Sequence, residues 1–310
     1  MKRRVLLTGA SGFLGRHCLD ELVRRGYEVH AVARGPLARS RDIVWHRIDL
    51  MVSGAAADLA RRVRASHLLH LAWYTKHGLF WTAPENRQWL SVSIELVEAF
   101  ADAGGRRAVC AGTCAEYIWN DAPCDERRTP LTPATPYGRA KVALHASLEE
   151  TARKHHLSFG WGRIFFPYGP CEVSARLVPS VINALIRGEA VKCTSGGQQF
   201  DYLYVEDVAS AFVAFLDGDV TGAVNIASGI PVRVRDVVTT LAHQLGGSDL
   251  LRMGALPPRP NDPQLLIASV ERLRNEVGWK PALSLDEGLA RTIAWWRDES
   301  RIERRGTAVQ

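Results

Sequence analysis

The sequence predicts an α/β fold, a doubly wound parallel sheet followed by a smaller C-terminal domain. Strand-length apolar runs alternate with helix-length segments through the first half of the chain, the order that places helices on both faces of a parallel sheet. The first run, Val5-Leu6-Leu7, is continuously apolar, as expected of a strand buried on both faces. It leads directly into Gly9, Gly12 and Gly15, spaced Gly-x-x-Gly-x-x-Gly ahead of a helical pattern.

Taken in order, the strands are expected at residues 4–7, 28–33, 43–48, 67–71 and 107–111, with long helices over 86–103 and 137–155 flanking the sheet. A further strand over 159–165 closes on Pro167-Tyr168-Gly169-Pro170, a cluster of turn residues. Beyond it the alternation loosens into a helix at 178–187, short strands near Ala190 and Asp201, and a Pro-rich loop over 256–263. The expected division is residues 1–170 and 171–310, with 200–228 partly rejoining the first unit, because 205–216 and 223–226 read as one more helix and strand.

The glycine spacing has a chemical meaning. A glycine-rich turn between strand and helix lets backbone N–H groups approach a pyrophosphate, and the helix N-terminus adds positive partial charge. Gly9 would permit the turn, Gly12 the close approach and Gly15 the packing of helix on strand. Ser11, Phe13 and Leu14 complete the loop, so a Rossmann-type dinucleotide site is expected here.

Composition sets the outer limits. With 310 residues and 46% hydrophobic content, the chain can bury about three quarters of its unfolded surface without disulfides or metal. Six cysteines lie without Cys-x-x-Cys spacing; with no signal-like apolar segment ahead of the first strand, a cytoplasmic protein is expected. No run of 18 apolar residues predicts a membrane span. The net charge of +6 is dispersed, which argues for an anionic small molecule rather than nucleic acid. The pair His155-His156 reads as a helix end, and no metal site is expected.

Tyr137 and Lys141 lie one helical turn apart, on one face of a helix. Such a pair is common on helix surfaces; beside a nucleotide site and Thr113, just past the fifth strand, it becomes catalytic. Lys141 would lower the phenol pKa, Tyr137 would exchange a proton with a carbonyl or hydroxyl oxygen, and Thr113 would hold that oxygen.

The chain resembles the extended short-chain dehydrogenase/reductases of the NAD-dependent epimerase/dehydratase family, which act mainly on nucleotide sugars. The likeness runs through TGASGFLG, His70-Leu71-Ala72, Tyr137-Gly138-Arg139-Ala140-Lys141, Arg163 to Pro170, Asp201 to Ala209, Asn225 to Gly229 and Gly278-Trp279-Lys280-Pro281. It implies that Thr113, Tyr137 and Lys141 form a catalytic triad and that Asp49 contacts the adenine. It also implies that Leu50, Leu71, Ala72 and Phe166 line the cofactor site. By the same resemblance the protein is a homodimer paired through helices 86–103 and 137–155.

Departures from the family pattern narrow the reaction. Family 4,6-dehydratases commonly carry an acid pair after the catalytic Thr; here Cys114 and Ala115 stand there, which disfavours dehydration. Glu116, one residue on, reads as a packing or hydrogen-bonding residue, with a proton carrier as the alternative, and Cys114 as a small buried hydrophobe or a thiol titrating beside the cofactor. The Arg that often touches the diphosphate is replaced by Phe200, leaving Arg259 and Arg176 as phosphate contacts. The usual Asn before the catalytic strand is absent, with Trp89 near its place and Asn86 one turn earlier. Within the aromatic segment 73–81, Tyr74, His77 or Trp81 would stack on a sugar or base, unless these rings are core.

At the end of the second strand, an acidic residue would bind the ribose hydroxyls and a cation would attract a 2′-phosphate. The chain has Arg34 there, with Arg39 and Arg41 following. NADP is therefore expected over NAD, the alternative being a solvated arginine loop. The expected reaction is reduction of a 4-keto-6-deoxy nucleotide-diphosphate sugar by NADPH. A nucleotide-sugar 4-epimerase that retains its cofactor is the alternative, and a non-enzymatic dinucleotide sensor is a third reading that the intact triad opposes.

Overall fold

In a computed structural model, residues 3–35, 42–119, 122–258 and 263–307 are described, with side chains to residue 300. The first half alternates as β1 (Arg4–Thr8), α1 (Gly15–Arg24), β2 (Glu28–Ala33), β3 (Ile43–Arg47), α2 (Ala55–Val63) and β4 (His67–His70). It continues through α3 (Glu85–Asp102), β5 (Arg107–Thr113), α4 (Pro136–His155), β6 (Ser158–Ile164) and β7 (Phe166–Tyr168). There follow α5 (Leu177–Ile186), β8 (Val191–Lys192), β9 (Gln199–Tyr204), α6 (Val205–Asp217) and β10 (Gly222–Ile226). The chain ends with β11 (Pro231–Arg233), α7 (Val234–Leu245), β12 (Leu251–Arg252), β13 (Leu265–Leu266), α8 (Glu271–Asn275) and α9 (Leu285–Thr307).

Seven strands form one sheet in the order β10-β6-β5-β4-β1-β2-β3, every neighbouring pair parallel. The fold is Rossmann-type, as its sequence predicts. A core of Val5, Leu7, Cys18, Leu22, Val29 and Phe212 joins the sheet to α1 and α6, while Leu6, Leu59, Leu96, Leu144 and Trp161 join it to α2, α3 and α4. Both faces are thus covered, which explains the continuously apolar central strands.

A separate core, with Tyr168, Ile182, Tyr202, Val238, Leu241 and Leu289, packs α5, α7 and α9 against β7 and β9. The strand β9 pairs with β7, β11 and β13 rather than with the large sheet. The following segment returns: α6 lies against α1 and β10 pairs along β6. Strand order reverses between β1 and β4, and a doubly wound sheet opens its ligand crevice at such a point, beyond the carboxyl ends of the strands.

Candidate active site

The turn after β1 is shaped by its glycines. Gly9 has φ of 71°, and a Cβ there would come within 2.9 Å of Ala72 N, at the end of β4. A Cβ on Gly15 would approach Gly9 O at 2.1 Å, whereas one on Gly12 would meet only Gly9 O, at 3.1 Å. The turn therefore fits against β4 and α1 while staying open at Gly12, and Leu14 leads into α1 without a side-chain cap. These are the features that suit a pyrophosphate. Ser11 is exposed, Phe13 lies edge-on to His17 with centroids 6.4 Å apart, and Leu71 N bonds Thr8 O at 3.3 Å. Leu50 and Ala72 are buried in the core on the α2–α4 face.

Under the turn runs a polar chain that the sequence reading missed. Thr8 Oγ1 shares a hydrogen bond with His70 Nδ1 at 2.7 Å and accepts one from Ala72 N at 3.3 Å; His70 Nε2 and Ser93 Oγ are 2.8 Å apart. Burial, and then the nearby Lys141, pull the His70 pKa down to about 3, so a neutral imidazole ties β1 and β4 to α3. Period-3.6 reading marks Ser93 only as an inward position; its partner lies across the sheet.

Thr113 is the last residue of β5, two residues beyond the expected strand end. It caps the 3-10 turn Cys114–Glu116: Ala115 N donates to its Oγ1 at 3.2 Å, and Thr113 N donates to Glu116 Oε1 at 2.8 Å. The start of α4 closes onto this turn, since a Cβ on Gly138 would meet Ala115 O at 2.3 Å. That contact sets Tyr137 beside Thr113. Trp73, Phe80 and Trp81 surround the Tyr137 ring, their centroids 6.5, 5.0 and 5.8 Å from it. One edge of Tyr137 still faces solvent.

The ring cage decides the charge of the phenol. Burial pushes its pKa up, and the hydrogen bond with Thr113 opposes the rise. The Lys141 ammonium is engaged by other groups. It donates to Ala111 O at 2.8 Å and sits 3.7 Å above the Trp73 ring; burial pulls its own pKa down to about 7. Tyr137 therefore presents a protonated acid.

Glu116 has no freedom to move protons. Fully buried, it accepts from Trp161 Nε1 at 3.0 Å and from Arg163 Nε at 2.7 Å. Arg163 also donates to Tyr117 Oη, which donates to Asn225 Oδ1. Cys114 is buried, and burial raises its thiol pKa, making it a small apolar residue. Asn86 accepts from Trp73 Nε1 at 2.9 Å and donates to Phe80 O and Ala83 O at 2.7 and 3.0 Å, pinning the aromatic segment. Within that segment Tyr74 is half-buried and His77 exposed.

The remaining residues lie on separate elements. Phe166 on β7 stacks on Phe200 of β9, centroids 4.4 Å apart. Arg176 stands at the start of α5, and its charge reaches the Tyr137 phenol. Arg259 lies outside the described residues, as do Arg39 and Arg41. Arg34 is exposed immediately after β2, and register pairs Ala33 with Arg47, so a second exposed arginine, unnoticed in the sequence, ends the neighbouring strand. Asp49 is exposed two residues beyond, its Oδ1 accepting from Met51 N at 3.0 Å. Among the described residues no cluster of His, Cys, Asp and Glu could hold a metal, and no helix is long and apolar enough to cross a membrane.

A glycine turn at the sheet's switch point, facing a Thr–Tyr–Lys constellation, defines a dinucleotide-dependent enzyme of the oxidoreductase type. Residues 5–227 match the NAD dependent epimerase/dehydratase family, and the chain belongs to it. CDP-abequose synthase of Salmonella typhimurium is 26% identical over 303 residues, spanning 93% of this chain and 97% of that one. MoeE5, solved in complex with UDP-glucuronic acid and NAD, is 32% identical with a TM-score of 0.84, covering 96% and 99% of the two chains. The UDP-glucose 4-epimerase of Thermotoga maritima, solved with UDP-glucose, is 25% identical with a TM-score of 0.86, covering 96% and 99%.

Proposed function

We propose that the protein reduces a 4-keto-6-deoxy nucleotide-diphosphate sugar with NADPH. The observation that carries this reading is the Tyr137 phenol, kept protonated by burial beside the Thr113 hydroxyl. When bound, the dinucleotide supplies a hydride to the ketone carbon. Tyr137 Oη gives its proton to the ketone oxygen, so that the carbonyl becomes an alcohol, while Thr113 Oγ1 orients that oxygen. Trp73, Phe80 and Trp81 exclude water around the phenol. The locked Glu116 and the apolar Cys114 leave no free carboxylate after Thr113 for an elimination, which supports reduction over dehydration. Likeness to CDP-abequose synthase supports a deoxysugar substrate. We place the cofactor on Gly9, Ser11, Gly12, Phe13, Leu14, Gly15, Leu50, Leu71, Ala72 and Phe166, with Asp49 at the adenine and Arg34 at the 2′-phosphate. The sugar nucleotide would lie by Tyr74, His77, Cys114 and Arg176, in a cytoplasmic homodimer.

The second reading is a 4-epimerase, favoured by the likeness over the whole chain to the UDP-glucose 4-epimerase of Thermotoga maritima. A panel of nucleotide 4-keto-6-deoxyhexoses separates the two. Reduction consumes one NADPH per sugar; interconversion of a nucleotide hexose with its 4-epimer on substoichiometric co-purified cofactor would overturn the reductase.

A further inference from the structure

The carboxyl group of Glu172 is a buried charge with an incomplete set of partners. Its side chain is 5% exposed, its Oε1 lies 3.7 Å from Arg176 Nη1, and its Oε2 is buried without a hydrogen-bond partner. Buried carboxylate oxygens are normally satisfied. The backbone holds the residue in place: Cys171 before it has φ of 65°, and Glu172 N donates to Gly169 O at 3.4 Å. The loop is anchored beside the nucleotide turn by His17 Nε2, which donates to Pro170 O at 3.2 Å. Arg176 is partly exposed, and its charge is felt by the Tyr137 phenol. The pair thus links the loop after β7 to the proposed catalytic acid.

We propose that Glu172 is a positioning residue of the substrate side: it holds Arg176 ready for the diphosphate of a nucleotide sugar and releases it, taking up a proton, when that charge arrives. This rests on the reading of the ligand as a nucleotide-diphosphate sugar. In the free protein burial raises the Glu172 pKa to about 7, with Arg176 pulling the other way. Among the described residues, the ionisable groups facing it are Arg176, before α5, and Tyr202, on β9; burial and Glu172 itself raise the Tyr202 pKa, so Tyr202 stays neutral. A diphosphate that draws Arg176 away removes the cation that, among the described residues, stabilises the carboxylate. The pKa of Glu172 must then rise further, and binding takes up a proton. Affinity is therefore highest below pH 7 and falls above it.

The test uses UDP-glucose, CDP-glucose and dTDP-glucose, whose diphosphates are diesters and do not titrate in this range, with the enzyme saturated in NADPH. Calorimetry at pH 6 and pH 8, in buffers of different ionisation heat, gives affinity and protons taken up. Wild type and Glu172→Gln should bind about equally at pH 6, and Glu172→Gln roughly fivefold tighter at pH 8, within the tenfold per pH unit that one proton allows. Comparing the two proteins removes Lys141 and every other titrating group. Glu172→Asp should restore the wild-type slope and proton uptake, and Arg176→Ala should weaken binding at both pH values. Parallel pH profiles for wild type and Glu172→Gln would overturn this role alone. Failure of all three nucleotide sugars to bind would overturn it together with the proposed substrate class.

Discussion

Glu116 and Arg163 form an ion pair of 2.7 Å in which both side chains are fully buried. The pair joins the Cys114–Glu116 turn after β5 to β6. Its carboxylate also accepts from Thr113 N, so it fixes the residue that faces Tyr137. Removing one member of a buried pair leaves the other charge uncompensated, at a cost of about 3–5 kcal/mol. Glu116→Ala should lose stability on that scale in urea or thermal unfolding. Were Glu116 instead a mobile proton carrier, the variant would lose turnover and keep its stability.

Lys141 gives a pH dependence of defined sign. Burial lowers its pKa from 10.5 to about 7, so between those values the unfolded chain binds more protons than the folded one. Stability from this group is therefore full above 10.5, declines as pH falls toward 7, and is constant below it. Lys141→Met removes a buried charge but leaves Ala111 O without its donor. The variant should melt higher than wild type at pH 6 and lower at pH 10. A melting difference that does not change between those conditions would contradict the burial account.

Single residues show what the sequence could reveal. The strand Glu28–Ala33 is legible to the residue because both its ends are marked, by a glycine turn before and an arginine after. β5 runs on to Thr113 because register with β6 extends through Thr113 opposite Ile164, a pairing between segments about fifty residues apart. Distance in sequence also hides Glu116 from Arg163 and His70 from Ser93. Gly138 reads as an ordinary residue inside a Tyr-x-x-x-Lys pattern until Ala115 O is found against it. The aromatic segment could be read either as core or as contact; in the fold Trp73, Phe80 and Trp81 enclose the Tyr137 ring.

The exposed faces of α3 and α4 belong to helices that pack side by side, and we expect them to pair with a second copy as a four-helix bundle. Sedimentation at micromolar concentration should show a dimer. Glu149→Arg, changing an exposed position of α4, should shift the equilibrium toward monomer. A persistent wild-type monomer would remove this expectation and leave the fold untouched.

Tyr137→Phe keeps the ring contacts with Trp73, Phe80 and Trp81 and deletes only the hydroxyl. Turnover should fall by roughly 100- to 10,000-fold, the scale of a lost general acid, with folding and NADPH affinity retained. Wild-type rates on the true substrate would exclude proton transfer by this phenol.

Cofactor choice turns on the ends of β2 and β3. Arg34 follows Ala33, whose partner in the sheet is Arg47, and both arginines are exposed. A 2′-phosphate set between them would gain charge-assisted hydrogen bonds of about 1.5–3 kcal/mol, which corresponds to roughly 10- to 100-fold in affinity. Asp49 lies two residues past Arg47, its carboxylate accepting from Met51 N. Wild type should bind NADPH more tightly than NADH. Arg34→Asp should reverse the order, since a carboxylate there repels the phosphate and accepts from the ribose hydroxyls; Arg47→Ala should reduce the preference without reversing it. Equal affinities in wild type, or tighter binding of NADH, would assign the arginines to solvent and the cofactor to NAD.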